Sequence, residues 1–379
     1  MTLPGIDIQA VELVRIELPL VTPFQTSFGT WSFRDILLVH VMAEGTDGWG
    51  ECVAGTQPLY SSEYTAAAHA VTSDHLLPRL LRERTVHADD VAGILGDVQG
   101  HRMAKAAVEA AVLDAELRAA GVSLAEHLGA TVDRVPVGVS IGIQPTLDDL
   151  VATAARHLEE GYARIKVKIK PGWDVEPCRR LRAELGDDFG LQVDANAAYG
   201  PDDVDALRAL DEFGLLLIEQ PYAEERLVDN VDLVRAIETP VCLDETIVSE
   251  AVCDDALRLG AADVINIKPG RVGGHLAGKR IHDRCVAAGV PVWHGGMLET
   301  GVGRAANLAL AALPGFTLPG DISAAERYWR QDIVTEPAVL EDDGTIRVPT
   351  GPGTGVRVDR DVLASVTTAV SRHEARDHR

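Results

Sequence analysis

Charged residues recur along the middle of this chain at nearly one interval, each closing a short apolar run. Lys166-Val-Lys168 ends the run Ala163–Ile169, Asp194 follows Leu191-Gln-Val, Glu219 follows Leu215–Ile218, Asp244 follows Val241-Cys-Leu, and Lys268 follows Val264–Ile267. Counted from Lys168, the steps are 26, 25, 25 and 24 residues. Three carboxylates brought within a few ångströms cannot all stay ionised without a cation, because like charges raise one another's pKa. Hard oxygen donors with no His or Cys beside them favour Mg²⁺ or Mn²⁺ over zinc. Strand-end acids can instead cap the helices that follow them, but three in register favour Asp194, Glu219 and Asp244 as metal ligands.

Lys168 precedes the trio by one interval and Lys268 follows it by one, so the two lysines should face each other across a bound substrate. A lysine at its free pKa is a poor base at neutral pH; burial beside a dication and the neighbouring Lys166 are expected to lower it toward about 7–8. The chemistry these parts allow is removal of a proton α to a carboxylate, with the resulting dianion held by the metal and the opposite lysine. Two lysines on opposite faces serve either racemisation or proton removal followed by loss of a leaving group.

An interval of about 25 residues is the length of one strand, one helix and two short loops. A charge at the C-terminal tip of each successive parallel strand would gather all of them at the mouth of one barrel. Strands are expected near 135–141, 163–169, 190–195, 214–219, 240–244, 263–268, 290–294 and 316–319, with helices such as Asp174–Leu185 and Asp202–Asp211 between them. This alternation argues for a TIM-type α/β barrel over an open doubly wound sheet. Upstream, residues 8–20 and 34–46 read as a β-hairpin whose tip, Thr22–Gly29, is a long mobile loop. From about 62 to 120 the pattern is helical, clearest in Met103–Ala120 with a stop at Gly121. Strands followed by helices without alternation describe an α+β module. The divisions expected are 1–128 for this N-terminal capping module, 129–322 for the barrel, and 323–379 for a segment returning to the cap through the Gly/Pro connector 349–355 and a short helix. Ser371–Arg379 reads as frayed.

With 379 residues, 46% of them apolar, the chain can bury a large core. A net charge of −23 argues against nucleic acid and anionic membranes as partners. A small carboxylate substrate then requires a pocket made locally positive by lysines or a metal. The five cysteines are scattered without CxxC or Cys/His spacing, as in reduced cytoplasmic proteins. The start of the chain has no secretory-signal pattern and no stretch of about 18 apolar residues occurs, so a cytoplasmic protein is expected.

The segments Arg164-Ile-Lys-Val-Lys-Ile169, Gln192-Val-Asp-Ala-Asn196, Ile218-Glu-Gln-Pro221, Cys242-Leu-Asp-Glu245, Ile265–Gly274 and Gly295-Gly-Met-Leu-Glu-Thr-Gly301 together resemble the enolase superfamily. Within it they are most similar to the o-succinylbenzoate synthase / N-succinylamino acid racemase group, over nearly the whole chain. The resemblance implies a modified TIM (β/α)7β-type barrel with an α+β capping domain, usually assembled as a homo-oligomer. By position it makes Lys168 and Lys268 the acid/base pair and Asp194, Glu219 and Asp244 the ligands of Mg²⁺ (or Mn²⁺). It sets Ser140, Asn196, Gly296 and Met297 against the substrate, and Arg271 matches a residue associated with the racemase-bearing branch; Lys166 and Arg271 are expected among the substrate-binding residues as well. Pro23–Phe28 matches a cap loop that closes over the pocket. His294 departs from the residue usual before the Gly-Gly pair, which would reshape the pocket wall. The implied activity is dehydration to o-succinylbenzoate, with N-acylamino acid racemisation as close rival and dipeptide epimerase or muconate-type cycloisomerase chemistry further off. A barrel that only binds a carboxylated metabolite would show no α-proton exchange in D₂O.

Three other features of the sequence imitate functional motifs or elements. Gly301-Val-Gly-Arg-Ala-Ala306 imitates a dinucleotide fingerprint, even to an acid at Asp321, but its glycines are better read as serving a tight turn. His294 and Glu299 could pair catalytically, yet a pocket-wall or structural role is the better reading. The run 349–355 reads as a connector.

Overall fold

The computed structural model describes residues 3–27 and 29–375. Three strands open the chain, β1 (Ile8–Gln25), β2 (Thr30–Ala43) and β3 (Thr46–Cys52). β1 and β2 extend beyond the hairpin expected for 8–20 and 34–46, because Phe24 and Gln25 pair with Trp31 and Thr30 after a break in register past Pro19. The mobile tip expected at Thr22–Gly29 therefore shrinks to the residues between those strands; Phe28 lies outside the described residues. β3 was not foreseen, since its Gly-rich sequence Thr46-Asp-Gly-Trp-Gly-Glu-Cys lacks alternation. Those glycines are what let it pack: a Cβ at Gly48 or Gly50 would stand 2.3 or 2.0 Å from the carbonyl oxygens of Ala111 and Ala107. The partner is the helix Arg102–Ala120, which ends at Gly121 in the left-handed conformation (φ 67°) as its sequence predicts. Its alanines let the strand approach, and its buried acids bind backbone N–H groups from elsewhere. Asp114 accepts from Trp49 and Thr354, and Glu116 from Gly5 and Ala88.

Next come β4 (Arg134–Pro136), β5 (Val139–Ile141), β6 (Arg164–Lys168), β7 (Gly190–Asp194), β8 (Ile218–Glu219), β9 (Val241–Leu243), β10 (Val264–Ile267) and β11 (Val292–His294). β5 to β11 form one seven-stranded parallel sheet in sequence order. Helices between them bury one face each; Val175–Leu185 is capped by Asp174, and Glu250–Leu259 by Ser249. The helix expected at Asp202–Asp211 forms as a short α-helix, Val204–Arg208, between 3₁₀ turns at Pro201–Asp203 and Ala209–Phe213. The eighth strand expected at 316–319 does not form a ladder. Leu313-Pro-Gly-Phe-Thr-Leu-Pro-Gly320 has prolines that cannot donate, so it makes single bridges, Phe316 to Val292 and Gly320 to Val137. Bonds from Gly138 N to Gly320 O (2.8 Å) and Asp321 N to His294 O (2.8 Å) carry it across the gap between the two ends of the sheet.

After β12 (Thr345–Arg347), which pairs with β4, the chain crosses to the cap. The connector docks there: Leu124 N donates to Gly353 O at 2.7 Å, and Gly353 N to Val122 O at 2.9 Å. The short helix Arg360–Val366 leads into β13 (Thr367–Glu374), antiparallel to β1. Ser371–Glu374, expected to fray, is thus paired strand; 376–379 lie outside the described residues. All five cysteines are free and buried. Among the described residues no helix is long and apolar enough to cross a membrane.

Candidate active site

β6 is buried along its whole length, and its alternation turns Arg164, Lys166 and Lys168 to the barrel interior. Its register sets Lys168 beside Asp194, and β7 and β8 set Asp194 beside Glu219. Lys168 Nζ donates to Asp194 Oδ2 (2.5 Å) and Asn196 Oδ1 (2.8 Å). Lys166 Nζ lies 2.8 Å from Glu219 Oε2, 3.2 Å from Asp194 Oδ2 and 2.5 Å from Asp321 Oδ2. Across the sheet, Lys268 Nζ donates to Asp244 Oδ2 (2.7 Å) and to the Tyr60 hydroxyl (3.1 Å). Arg271 pairs with the other oxygen of Asp244 and donates to Ile247 O (2.8 Å) and Asn266 O (2.6 Å).

A cavity opens onto these groups. Lys166, Lys168, Lys268, Ser140, Asn196, Gly296 and Met297 all line it. Asp194, Glu219, Asp244 and Arg271 reach it through their ion pairs with the lysines and Tyr60. The cap closes it with Phe24, Thr26, Trp31 and Tyr60. Gln25 anchors that closure, its carbonyl accepting from Ile143 N at 3.0 Å, and a Cβ at Gly142 would block it at 2.6 Å. Asn196, Ala197, Gln220 and Leu298 hold positive φ at this mouth, a strained backbone of the kind that concentrates at functional sites.

Each trio carboxylate is turned to a cation of the chain, and among the described residues no three acids, histidines or cysteines are gathered as a ready metal cluster. Burial pushes Glu219 up to about 7, helped by the charge of Asp194. Burial likewise raises Glu245, beside Asp244, and its Oε2 faces no donor. Burial also opposes ionisation of Asp194 and Asp244, but the adjoining Lys168 and Lys166, and Arg271 and Lys268, win and hold both below the usual carboxylate range. The lysine pKa lowering expected from the sequence is not what Lys268 has. Burial disfavours its charge, but Asp244 at 2.7 Å outweighs burial and raises it.

Five participants escaped the sequence reading. Gln192 and Asn266 lie two residues before Asp194 and Lys268 on the same strand face, and both donate to Glu219; alternation alone could have found them. Asp321 joins Lys166 to Arg164, whose NH1 is 2.7 Å away. Tyr60 comes from the cap, and Glu245 accepts from Asn196 Nδ2 at 3.0 Å; nothing in their local sequence marks either. His294 turns from the cavity, bonding Gly295 O at 3.0 Å, and burial lowers its pKa to about 3. Glu299 accepts from Met297 N and Asn307 Nδ2, a structural role. Gly301 serves packing, since a Cβ there would meet Val334 at 2.1 Å.

Known proteins share this architecture. The N-succinylamino acid racemase of an Amycolatopsis species is 54% identical over 362 residues, covering 96% of this chain and 98% of that one. The o-succinylbenzoate synthase of Geobacillus stearothermophilus is 48% identical over 357 residues, covering 94% and 95%. A crystal structure of an enolase-superfamily member from Listeria innocua superposes with a TM-score of 0.93 at 37% identity, covering 98% of this chain and 100% of the other. Residues 9–129 match the mandelate racemase / muconate lactonizing enzyme N-terminal domain, and 149–362 match the enolase C-terminal domain-like family. Both matches fall in chain order across the cap and the barrel, and the chain belongs to the enolase superfamily.

Proposed function

We propose that the protein removes a proton α to a carboxylate, and that its main reaction is dehydration of 2-succinyl-6-hydroxy-2,4-cyclohexadiene-1-carboxylate to o-succinylbenzoate, a step of menaquinone synthesis. N-succinyl or other N-acylamino acid racemisation is proposed at the same site. The observation that carries this reading is the pair Lys168 and Lys268, four strands apart on the curled sheet, lining one cavity above buried carboxylates. The two relatives at 54% and 48% identity bear the names of these two activities.

Asp194, Glu219 and Asp244 would hold Mg²⁺ (or Mn²⁺). The donors suit it: all are carboxylate oxygens, all are buried, and Asn196 N and Asn266 Nδ2 orient Asp194 and Glu219 at 2.9 and 2.7 Å. Burial, the largest cause of the raised pKa of Glu219, shows that its charge is not fully supported by the cations around it, as suits a group that would face a metal ion. When bound, a divalent cation acidifies the carbon next to a carboxylate and takes charge from the trio, which would free the lysines to act as bases. Lys166, held by Asp321, supplies a fixed positive charge for the substrate carboxylate. Lys168 and Lys268 each address one face of the α-carbon. In racemisation one lysine takes the proton and the other returns one from the opposite face. In syn dehydration the lysine that took the proton gives it to the departing hydroxide, so water leaves and the ring becomes aromatic. Ser140, Asn196, Gly296 and Met297 form the surrounding wall, and Arg271 braces Asp244 beside Lys268. A cytoplasmic homo-oligomer is the proposed setting.

The test is Mg²⁺-dependent loss of the cyclohexadiene chromophore, with Lys168→Ala as blank. A kcat/KM within about 10⁴–10⁸ M⁻¹s⁻¹ supports the dehydratase as the main activity. A rate far below that range, with the metal bound and the fold intact, transfers first place to the racemase.

A further inference from the structure

The turn that carries Lys268 is gripped by the other half of the molecule. Lys268–Gly274 folds on itself: Arg271 N and Val272 N donate to Lys268 O at 3.0 and 3.2 Å, and Gly274 N donates to Pro269 O at 2.9 Å. The cap presses on this turn at two places. Val53, just past β3, lies where a Cβ at Gly270 would be 2.3 Å from its Cγ2. Glu109, on the helix Arg102–Ala120, reaches out of the cap to the start of the helix His275–Ala288. Its Oε2 accepts from His275 N and its Oε1 from Leu276 N, both at 2.9 Å. Glu109 is only 4% exposed, so these bonds are largely shielded from solvent. Gly274, at φ +144°, admits the carboxylate; a Cβ there would stand 2.5 Å from Glu109 Oε2. The carboxylate thereby satisfies two of the donors that every helix start leaves open, and it does so across the domain boundary. Lys168, by contrast, is set by the sheet itself, through the pairing of β6 with β7.

We propose that Glu109 is a positioning residue for Lys268: by fixing the end of the Lys268–Gly274 turn from the cap, it governs proton transfer on the Lys268 face of the substrate and not on the Lys168 face. The proposal rests on the reading that the two lysines flank the acidic carbon. Glu109 touches no substrate. It acts through the backbone of the turn, and a turn shifted by a fraction of an ångström displaces Nζ from the α-proton.

The test uses the full chain with Mg²⁺ and each enantiomer of N-succinylphenylalanine in D₂O, following loss of the α-proton signal by ¹H NMR. In one enantiomer the α-proton faces Lys268, and Lys268→Ala identifies which, by abolishing its exchange. Glu109→Ala should slow exchange of that enantiomer on the order of tenfold or more and leave the other nearly unchanged. Gly274→Ala, which pushes the carboxylate away from the opposite side, should give the same one-sided loss. Glu109→Gln keeps one acceptor and, if the alanine variant fails to fold, should show a smaller loss with the same asymmetry. Equal slowing of both enantiomers in these variants, or no slowing, overturns the proposal, because a merely structural contact has no reason to distinguish faces. Wild-type protein that exchanges neither enantiomer and does not consume the cyclohexadiene acid overturns the functional reading itself.

Discussion

Asp321→Asn offers a severe test of how the buried charges are organised. Asp321 is 8% exposed, with Lys166 at 2.5 Å on one oxygen and Arg164 at 2.7 Å on the other. Asparagine keeps the shape and one acceptor but removes the charge that both cations share. Lys166 retains Glu219 at 2.8 Å and Asp194 at 3.2 Å, while Arg164 retains the Pro319 carbonyl at 2.8 Å and the face of Trp293. Because neither cation is left bare, the destabilisation belongs at the low end for a broken buried pair, about 3 kcal/mol. At about 2.1 cal/mol/K per residue over 379 residues, cooperative unfolding would shift Tm by about 4 °C. Freed from Asp321, Lys166 should lean toward Glu219 and Asp194 and lose its hold on the substrate carboxylate. A hydrogen bond to a charged group is worth about 1.5–3 kcal/mol, so kcat/KM should fall about tenfold to a hundredfold. Circular dichroism melts of metal-free protein and steady-state kinetics read the two effects. A variant that melts within about a degree of wild type and turns over normally would show that the Arg164–Asp321–Lys166 chain organises nothing.

Other outcomes follow from the same geometry. Lys168→Ala and Lys268→Ala should each abolish turnover while circular dichroism shows an intact fold; near-wild-type rates in either would remove it from the acid/base pair. Asp244→Asn should weaken Mg²⁺ affinity measured by calorimetry, and unchanged affinity would count against the carboxylate trio. Stability of EDTA-treated protein should fall as pH rises from about 4.5 to 7, since burial pushes Glu51 and Glu109 up to about 7. The native state then binds protons that the unfolded chain has already released, so the slope is negative over that window, at most about 3 kcal/mol per group. Below pH about 4 the sign reverses, because Asp194, Asp244 and Asp321, lowered against burial by their cation partners, stay ionised in the native state but take up protons on unfolding. Glu51→Gln and Glu109→Gln should flatten the upper limb in urea melts, and an unchanged slope would refute the assignment.

What could be read from the residues and what could not divides along a physical line. Lys166, Lys168, Asp194, Glu219, Asp244 and Lys268 were legible because a parallel barrel converts sequence interval into angular position: one βα unit per step delivers every strand tip to the same rim. The same rule carries inward alternation, so Gln192 and Asn266 were within reach. The eighth stave failed the rule because Pro314 and Pro319 remove donors just where a ladder would need them. Its work passes to isolated bridges, and Asp321 reaches Lys166 by the path of that irregular segment. β3 failed for the opposite reason: its glycines weaken the strand signal but are the condition for packing on Ala107 and Ala111 at backbone contact. Tyr60 and Glu109 belong to neither case. Both act from the cap on a lysine far along the chain, 208 residues away for the Tyr60–Lys268 bond, and no local periodicity encodes a meeting between surfaces so far apart in sequence. The sign of the Lys268 shift was missed for a related reason. Sequence places Asp244 one step before Lys268, but only the 2.7 Å contact decides whether the neighbouring carboxylate or the burial dominates. Position around the barrel is set by counting residues; charge state is set by distances that counting does not contain.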